Sequence, residues 1–495
     1  MLLYRGYDLT VIIIPLVEVY MSKGAPSTDG GLRASRRSSN RYAMFVFWVM
    51  FIINLLNYLD RYLFVGAANR IAKELGFGLD GIGYVASAFL IVYTLSTIPL
   101  GIWADRTKRK NVVALCVAVW SAATAFTAVA NSFISLFLSR MVLGIGEAGY
   151  FPAGTALMSD YFPRARRSRI MSWWSTGQYV GLMIGFVVGG VVTSNAFPSG
   201  AWRLAFLIVG IPGLIVAFVT WRLREPRRNQ ADEEMAELDP QSLARGAEVK
   251  EPSQEVPRNI LSEFGTLLRI KTLVVLIVMQ IFAYFVLGVN VVFLPIYLQQ
   301  KDTLNLNSSV AGIFSGGVIV VAGIAGVVIG GYLADALNRR HPGARVLVCG
   351  IGFLLGAPTF VLALSFHDLI VFSIFFSLTV LFLSIYNGPS TAATQDVVPS
   401  FLRASAVAVT LLFAHLLGDA FAPSLVGFLA TNFDPTHGQH FAHNVAGHDL
   451  TIALLITCTP ALIIAGLVGI FGAHWMKDDI VAAELADKEA REKAS

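Results

Sequence analysis

The chain has 495 residues, of which 55% are hydrophobic and only 14% are charged. Soluble domains carry about 25% charged residues and disordered chains are poor in apolar residues, so the composition excludes both classes. The net charge of +5 suits loops beside anionic lipid better than a nucleic-acid surface. We therefore expect a polytopic membrane protein.

The N-terminal segment, residues 1–41, precedes the first long apolar run. Its apolar stretch at 11–21 is too short to span a bilayer and contains Pro15 and Glu18. No convincing cleavage site follows that stretch, and the remainder is polar and basic. We predict that residues 1–41 form a mobile cytoplasmic tail, and whether residues 1–20 are translated stays open.

Twelve apolar runs long enough to cross a bilayer follow, in two sets of six. They are continuous and lack the ten-residue alternation of barrel strands, which predicts helices. We number them spans 1–12, near residues 43–66, 81–104, 111–130, 133–158, 168–193, 202–222, 272–299, 308–334, 345–366, 369–395, 404–430 and 450–475.

The sequence between the two sets differs in kind. Residues 223–270 are charged, contain Pro and are poor in aromatic residues, which predicts a cytoplasmic linker with one short surface helix around 231–246. The expected domains are therefore an N-terminal half at 42–222, a C-terminal half at 271–476 and a C-terminal cytoplasmic tail at 477–495.

Basic residues cluster in alternate connections between the spans. They lie before span 1, in the 2–3, 4–5 and 8–9 connections and in the linker, whereas the 3–4 and 9–10 connections have none. Because cytoplasmic loops carry the excess of Lys and Arg, we predict that both termini are cytoplasmic. The membrane we expect is the bacterial inner membrane.

The two sets of spans repeat each other weakly. GIWADRTKRK at 101–110 closes span 2, and GYLADALNRR at 331–340 closes span 8. DYFPRARR at 160–167 follows span 4, and DVVPSFLR at 396–403 follows span 10. Two six-helix halves related by an axis along the membrane normal are typical of transporters.

The closing segment of span 2 resembles the signature of the major facilitator superfamily, Gly-x-Leu-Ala-Asp-Arg-x-Gly-Arg-Arg. Here Lys108 replaces the later Gly, and Ala336 replaces the Arg in the second copy. The resemblance covers about residues 42–476. It implies an all-α membrane fold of twelve helices in two pseudo-symmetric halves, and transport by alternating access.

Three further stretches are similar to the Spinster family: NYLDRY at 57–62, GEA at 146–148 and HLLGDAFAP at 415–423, where the family usually has Ser at Ala422. Spinster-like proteins export lysolipids or sphingosine phosphate, and the resemblance implies roles in proton coupling and gating for Asp60, Arg61 and Glu147. The first two stretches also occur in anion:cation symporters, which import sugar acids. Proton-coupled import of small organic anions is therefore the alternative, and the span 11 stretch favours the first interpretation.

Spans 1 and 4 carry charges that lipid makes costly, at least about 2.5–3.5 kcal/mol each. At 1.5 Å per residue, Asp60, Arg61 and Arg140 lie at similar depth and Glu147 lies nearer the centre. One interpretation is a proton switch in which Asp60 and Glu147 carry the proton. The alternative is a static ion pair. Arg61 and Arg140 are also suited to binding an anionic headgroup of the substrate.

Other polar residues of the spans have two interpretations each. His415 and Asp419 are four residues apart, so His415 either senses protons and binds substrate or simply forms a hydrogen bond with Asp419. Asn57 either lines the cavity and binds substrate or forms a hydrogen bond between helices. Gly181, Gly185 and Gly189 form a stripe on span 5 that we expect to pack against span 8 or 11 of the other half.

The 2–3 connection is a candidate cytoplasmic gate formed by Asp105, Arg106 and Arg109. The superfamily resemblance implies that this segment braces the two halves. Arg106 and Arg109 alone are explained by the positive-inside bias, but Asp105 is not.

Features of other protein classes are missing from the sequence. It has no Walker loop, no Gly-x-Ser-x-Gly and no His-Glu-x-x-His, so we expect no enzyme and no cofactor. The three cysteines are scattered through apolar runs, and the histidine-containing 11–12 loop has no rigid ligand set, so we expect no metal. We expect a monomer whose partners are its substrate, the proton and the bilayer. A sensor that binds ligand without flux stays possible.

Overall fold

The computed structural model describes residues 30–228, 230–231, 265–399, 402–436 and 438–492. Residues 1–46 form one unit, helical from Gly30 onward in its described part, and residues 47–495 form a second, to which the contacts below belong. Most of the expected tail at 1–41 and the linker helix expected at 231–246 lie outside the described residues. A helix at Met476–Glu492 occupies the expected C-terminal tail.

The described part of the chain contains twelve helical segments long and apolar enough to cross a membrane, as the sequence predicts. Six form the N-terminal half: Gly30–Leu75, Leu79–Arg106, Arg109–Thr127, Phe133–Tyr161, Arg164–Val192 and Ala201–Trp221. Six form the C-terminal half: Lys271–Gln299, Ser308–Asn338, Ala344–Ser365, Leu369–Val397, Arg403–Phe433 and Gly447–Gly472.

Three spans are interrupted in ways that hydropathy does not predict. Span 4 breaks at Gly149, and span 10 breaks at residues 385–386, at corresponding places in the two halves. Span 11 contains a π-helical turn at Ala414–Asp419, and such turns occur frequently at functional sites. The turn includes His415 and Asp419, so it sets the direction in which both side chains leave the helix.

The bundle has two ends that we name by their connections. The basic face carries the 2–3, 4–5, 8–9 and 10–11 connections, and the distal face carries the 1–2, 3–4, 5–6, 7–8, 9–10 and 11–12 connections. Near the distal face Ser424 N donates to Ser87 Oγ at 3.1 Å. Asn69 Nδ2 donates to Gln299 Oε1 at 3.0 Å. These hydrogen bonds join the two halves, so the distal ends are closed against each other.

Glycines permit the close approach of spans at this end. A Cβ atom on Gly83 would collide with the carbonyl group of Pro423, and one on Gly190 would collide with that of Ser308. Spans 2 and 11, and spans 5 and 8, therefore meet backbone to backbone across the two halves.

The glycine stripe of span 5 packs differently from the expectation. Cβ atoms on Gly181 and Gly185 would meet the carbonyl oxygens of Leu55 and Leu59, both in span 1 of the same half. The contact with span 8 is made instead by Gly190, one residue beyond the stripe. Helical periodicity identified a close-packing face, but it did not specify which neighbour that face would meet.

Candidate transport site between the two halves

Spans 1 and 4 are joined by an ion pair between Arg61 and Glu147. Arg61 Nη2 donates to Glu147 Oε2 at 2.5 Å, and Arg61 Nε donates to the same oxygen at 3.2 Å. The Glu147 side chain is fully buried, whereas that of Arg61 is 20% exposed. Removal of a charged partner from such a pair leaves an uncompensated buried charge, so the two side chains stabilise each other's ionised form.

A second pair lies beside the first. Arg140 Nη1 is 3.9 Å from Asp60 Oδ1, and both side chains are almost completely buried. The hydroxyl group of Thr124, on span 3, donates to the other carboxylate oxygen of Asp60. At 3.9 Å the Arg140–Asp60 contact is electrostatic and is too long for a hydrogen bond. In the described part of the chain, Arg140 Nε and Nη2 have no hydrogen-bond acceptor.

Aromatic rings surround both guanidinium groups. Arg61 lies 5.3 Å from the Tyr58 ring, 4.9 Å from Phe89 and 5.0 Å from Tyr93. Arg140 lies over Phe64 and Phe206 at 4.9 and 5.0 Å. Cation–π attraction of this kind is worth about 2 kcal/mol or more when it is shielded from water. The rings therefore fix the position of both cations within an apolar environment.

A cavity of about 300 Å³ lies between the two halves, and both arginines reach its wall. Most of its lining is apolar, and besides two tyrosines its polar residues are Arg61, Arg140, Ser384, Asn387 and Asp419. The other lining residues are Tyr62, Phe64, Val65, Val85, Ala86, Phe89, Leu90, Leu143, Tyr179, Leu182, Leu287, Gly288, Val291, Val292, Ile319, Gly323 and Val327. The cavity thus combines two cationic groups with a large hydrophobic wall.

Asn57 and His415, the other two candidate binding residues, do not line the cavity themselves. Asn57 is buried beside Glu147. His415 Nδ1 is 3.1 Å from Asp419 Oδ2, and its ring lies against the edges of Tyr93 and Tyr284. His415 therefore adjoins the cavity through Asp419, and the hydrogen bond that the sequence allowed is present.

Two of the three candidate gate residues, Arg106 and Arg109, have side chains that the structure describes. Arg109 Nη1 pairs with Asp160 at the end of span 4, within the N-terminal half. Arg106 is exposed, and the side chain of Asp105 lies outside the described part of the chain. The C-terminal half repeats the pair, because Arg345 Nη1 contacts Asp396 and Arg345 Nη2 contacts Asp335. The separation of 51 residues is the same in both halves.

The two equivalent ion pairs differ in burial, so their contributions to the stability of the protein can be compared. The side chain of Asp160 is 5% exposed and that of Asp396 is 33% exposed. We expect Arg109→Ala to destabilise the detergent-solubilised protein by about 2 kcal/mol, because it removes one charged partner of the buried Asp160 carboxylate. Arg345→Ala is expected to cost less than half of that. Thermal unfolding of both variants, with exposed Lys108→Ala as control, measures the difference, and equal shifts would contradict this assignment.

The sequence analysis did not identify Thr124, Tyr58, Phe89 or Tyr93 as part of the site. Tyr58 is three residues before Arg61 on the same helix, so helical spacing contained a signal for it. The other three residues belong to spans 2 and 3, and they contact the charged residues only because these helices pack against spans 1 and 4. Hydropathy carries no information about that packing.

A cavity between two pseudo-symmetric six-helix halves, closed at one end by contacts between them, defines a secondary transporter. The family model described as Major Facilitator Superfamily matches residues 50–423. The chain belongs to this superfamily and is an integral, multi-pass membrane protein.

Curated relatives agree with the resemblance seen in the sequence. Protein spinster homolog 1 of Xenopus laevis is 27% identical over 461 residues, which are 90% of this chain and 84% of that protein. Protein spinster homolog 1 of Homo sapiens is 28% identical over 429 residues, covering 82% and 76%. The chain is therefore a major facilitator transporter of the Spinster type, and the predicted family is confirmed.

Solved structures agree with the predicted fold. A bacterial homologue of the human lysosomal transporter Spinster, in an inward-facing and unoccupied conformation, superposes with a TM-score of 0.76 at 23% identity. The match covers 88% of this chain and 98% of that one. A point mutant of the nucleoside transporter NupG superposes with a TM-score of 0.62 at 14% identity, covering 86% and 99%. The predicted fold of twelve helices in two halves is confirmed.

Proposed function

We propose that this protein is a proton-coupled transporter of an anionic amphiphile, such as a lysolipid or a sphingoid phosphate, and that it works by alternating access. The observation that best supports this proposal is the cavity, which combines Arg61 and Arg140 with a wall of Phe, Leu and Val side chains. Arginine binds phosphate and carboxylate groups through a planar fork of donors, and the apolar wall suits an acyl chain.

Arg140 is the stronger candidate for the headgroup. Two of its guanidinium nitrogens are buried without an acceptor in the described part of the chain, and its distance from Asp60 is too long for a hydrogen bond. Buried donors without acceptors cost about 1–3 kcal/mol or more, so an anionic group entering the cavity would gain by supplying them. Arg61 already forms a hydrogen-bonded ion pair with Glu147. We therefore propose that its main role is in proton coupling.

Asp60 and Glu147 are the proposed proton carriers. Each carboxylate is buried and lies near an arginine that also lines the cavity. A substrate anion that draws an arginine away leaves the carboxylate in apolar surroundings, where protonation is favoured. Neutralising that carboxylate weakens the ion pairs between spans 1 and 4 at the cavity wall, and we propose that this change within the N-terminal half triggers the movement of the halves.

The orientation follows from the basic connections. We infer that the basic face and both termini are cytoplasmic, that the membrane is the bacterial inner membrane, and that the halves occupy residues 42–222 and 271–476. The contacts of the distal face then close the outer side. Asp105, Arg106 and Arg109 are proposed to brace the halves at the cytoplasmic side when the outer side opens.

The test uses the full-length monomer in proteoliposomes with an imposed pH gradient. Lumenal pH is followed while a lysophospholipid, a sphingoid phosphate and a set of sugar acids are added in turn. We expect proton movement with the amphiphiles only, and its loss in the Asp60→Asn/Glu147→Gln double variant.

Other outcomes decide against the proposal. Proton movement with sugar acids alone would identify a symporter of small organic anions. Binding of an amphiphile with no proton movement and no flux would identify a sensor.

A further inference from the structure

A cluster of titratable groups lies in the 11–12 connection at the distal face, outside the transport cavity. His440 Nδ1 is 2.8 Å from Asp449 Oδ2 at the start of span 12. It is also 3.3 Å from Asp434 Oδ1 at the end of span 11. Both carboxylates are buried, with 4% and 2% of Asp434 and Asp449 exposed. One imidazole ring therefore links the two ends of the connection.

The carboxylate of Asp434 is held in its ionised form. Its Oδ1 accepts from the Thr436 amide and hydroxyl groups, and its Oδ2 accepts from the amides of Gly438 and His440. Burial opposes ionisation, but these hydrogen bonds outweigh it and keep the pKa of Asp434 below its usual range. A fixed negative charge therefore remains beside His440 across the physiological pH range.

The same connection makes contact with the other half of the protein. Phe441, next to His440, lies 5.5 Å below the ammonium group of Lys73 in span 1. Lys73 Nζ also donates to Asn444 Oδ1 at 2.9 Å. Asn444 Nδ2 donates to the Gln299 carbonyl group at 2.5 Å, beside the Asn69–Gln299 hydrogen bond that joins the halves. His440 thus belongs to the segment that closes the distal face.

The charges around His440 come from several elements. Asp302 of the 7–8 connection accepts from the amides of Gly447 and His448, and its charge also acts on His440. Among the described residues, the charged or titratable groups of the surrounding elements include Asp434, Asp449, Asp302, Lys73, Arg70, Lys301, His443 and His448. Asp449 and Asp434 contact the ring at 2.8 and 3.3 Å, whereas Lys73 Nζ and the backbone amide of Lys301 donate to Asn444.

We propose that His440 is a proton-binding site of the distal face, and that its protonation favours the state in which the 11–12 connection is held against span 1. The positive imidazolium balances three carboxylates drawn from spans 11 and 12 and the 7–8 connection. Its deprotonation removes this positive charge from among the carboxylates, so the connection loosens and releases Phe441 and Asn444 from Lys73. Acid on that side therefore stabilises distal closure, whatever substrate the cavity carries.

The direction of the pH dependence follows from linkage. The hydrogen bond to Asp449 raises the pKa of His440 in the closed state above its ordinary value. We propose that opening of the connection separates the ring from Asp449, which returns the pKa to its ordinary value of about 6.5. Protonation then favours closure below that value, and this contribution is lost as the pH rises through the raised pKa. Distal closure should therefore weaken from mildly acidic toward alkaline pH.

The experiment measures distal closure directly by electron–electron distance spectroscopy. Spin labels are placed at Asn131→Cys in the 3–4 connection and His367→Cys in the 9–10 connection, both exposed. The three native cysteines, all buried, are replaced by Ala. We expect the ratio of closed to open populations to fall at least about threefold between about pH 5.5 and about pH 8.

Four variants separate His440 from other titrating groups. His440→Gln and Asp449→Asn should remove this pH dependence, and His440→Lys, which keeps a positive charge, should stay closed at both pH values. The control His443→Gln changes an exposed histidine of the same connection and should titrate like the parent. The proposal is overturned if His440→Gln titrates like His443→Gln. It is also overturned if a chelator opens the distal face at acidic pH, because a divalent cation would then occupy the cluster.

Discussion

Glu147→Gln is expected to lower proton-driven transport at least about tenfold while leaving substrate exchange without a pH gradient within a few fold. The side chain of Glu147 is fully buried and its Oε2 accepts both hydrogen bonds from Arg61. Glutamine keeps the size of the side chain and one acceptor oxygen, but it has no proton to release. The variant therefore separates proton coupling from the conformational change itself.

The measurement is uptake or release in proteoliposomes, with and without a pH gradient, at equal protein density. Glu74→Gln is the matched control, because Glu74 is also a carboxylate paired with an arginine, Arg203, but lies at the distal end of span 1. We expect Glu74→Gln to keep its response to the gradient. Full gradient-driven transport by Glu147→Gln would remove Glu147 from the coupling step and leave it as a static partner of Arg61.

The depth of the charged residues was predictable, but their pairing was not. Counting residues along spans 1 and 4 placed Asp60, Arg61 and Arg140 at one level, and the structure brings Arg140 to Asp60 as that count indicates. Glu147, expected nearer the centre, nonetheless reaches Arg61. The arginine side chain is long enough to bridge that difference in depth. The rotation of each helix about its own axis determines which charged residues form ion pairs. That rotation cannot be predicted from the hydrophobic pattern of a single sequence.

The cluster of titratable groups around His440 was also not predictable from the sequence. From the sequence, the histidine-containing 11–12 connection was considered only as a ligand set for a metal ion. The residues that face His440 are instead Asp434 and Asp449, which end and begin the neighbouring spans. Asn444, in the turn that follows His440, adopts a left-handed backbone conformation with φ of 64°. The residues of such a connection show no hydrophobic periodicity, so its backbone conformation could not be predicted from the sequence pattern.

Arg140→Gln is expected to weaken the binding of a single-chain lipid phosphate about tenfold or more, with little effect on a neutral lipid of the same chain length. A charge-assisted hydrogen bond to phosphate contributes about 1.5–3 kcal/mol, and each 1.4 kcal/mol is a factor of ten in the dissociation constant. Arg140 is buried at the cavity wall with guanidinium nitrogens that lack acceptors in the described part of the chain.

The comparison of headgroups distinguishes recognition from structural damage. Binding is measured by isothermal titration with purified protein, using a lysophosphatidic acid and a monoacylglycerol of equal chain length. Arg203→Gln serves as control, because this arginine also stacks on an aromatic ring and pairs with a carboxylate, but away from the cavity. Equal weakening for both lipids would mean that Arg140 shapes the cavity through Phe64 and Phe206. A selective loss for the phosphate would mean that the cavity selects its substrate by a buried guanidinium group whose acceptors the substrate supplies.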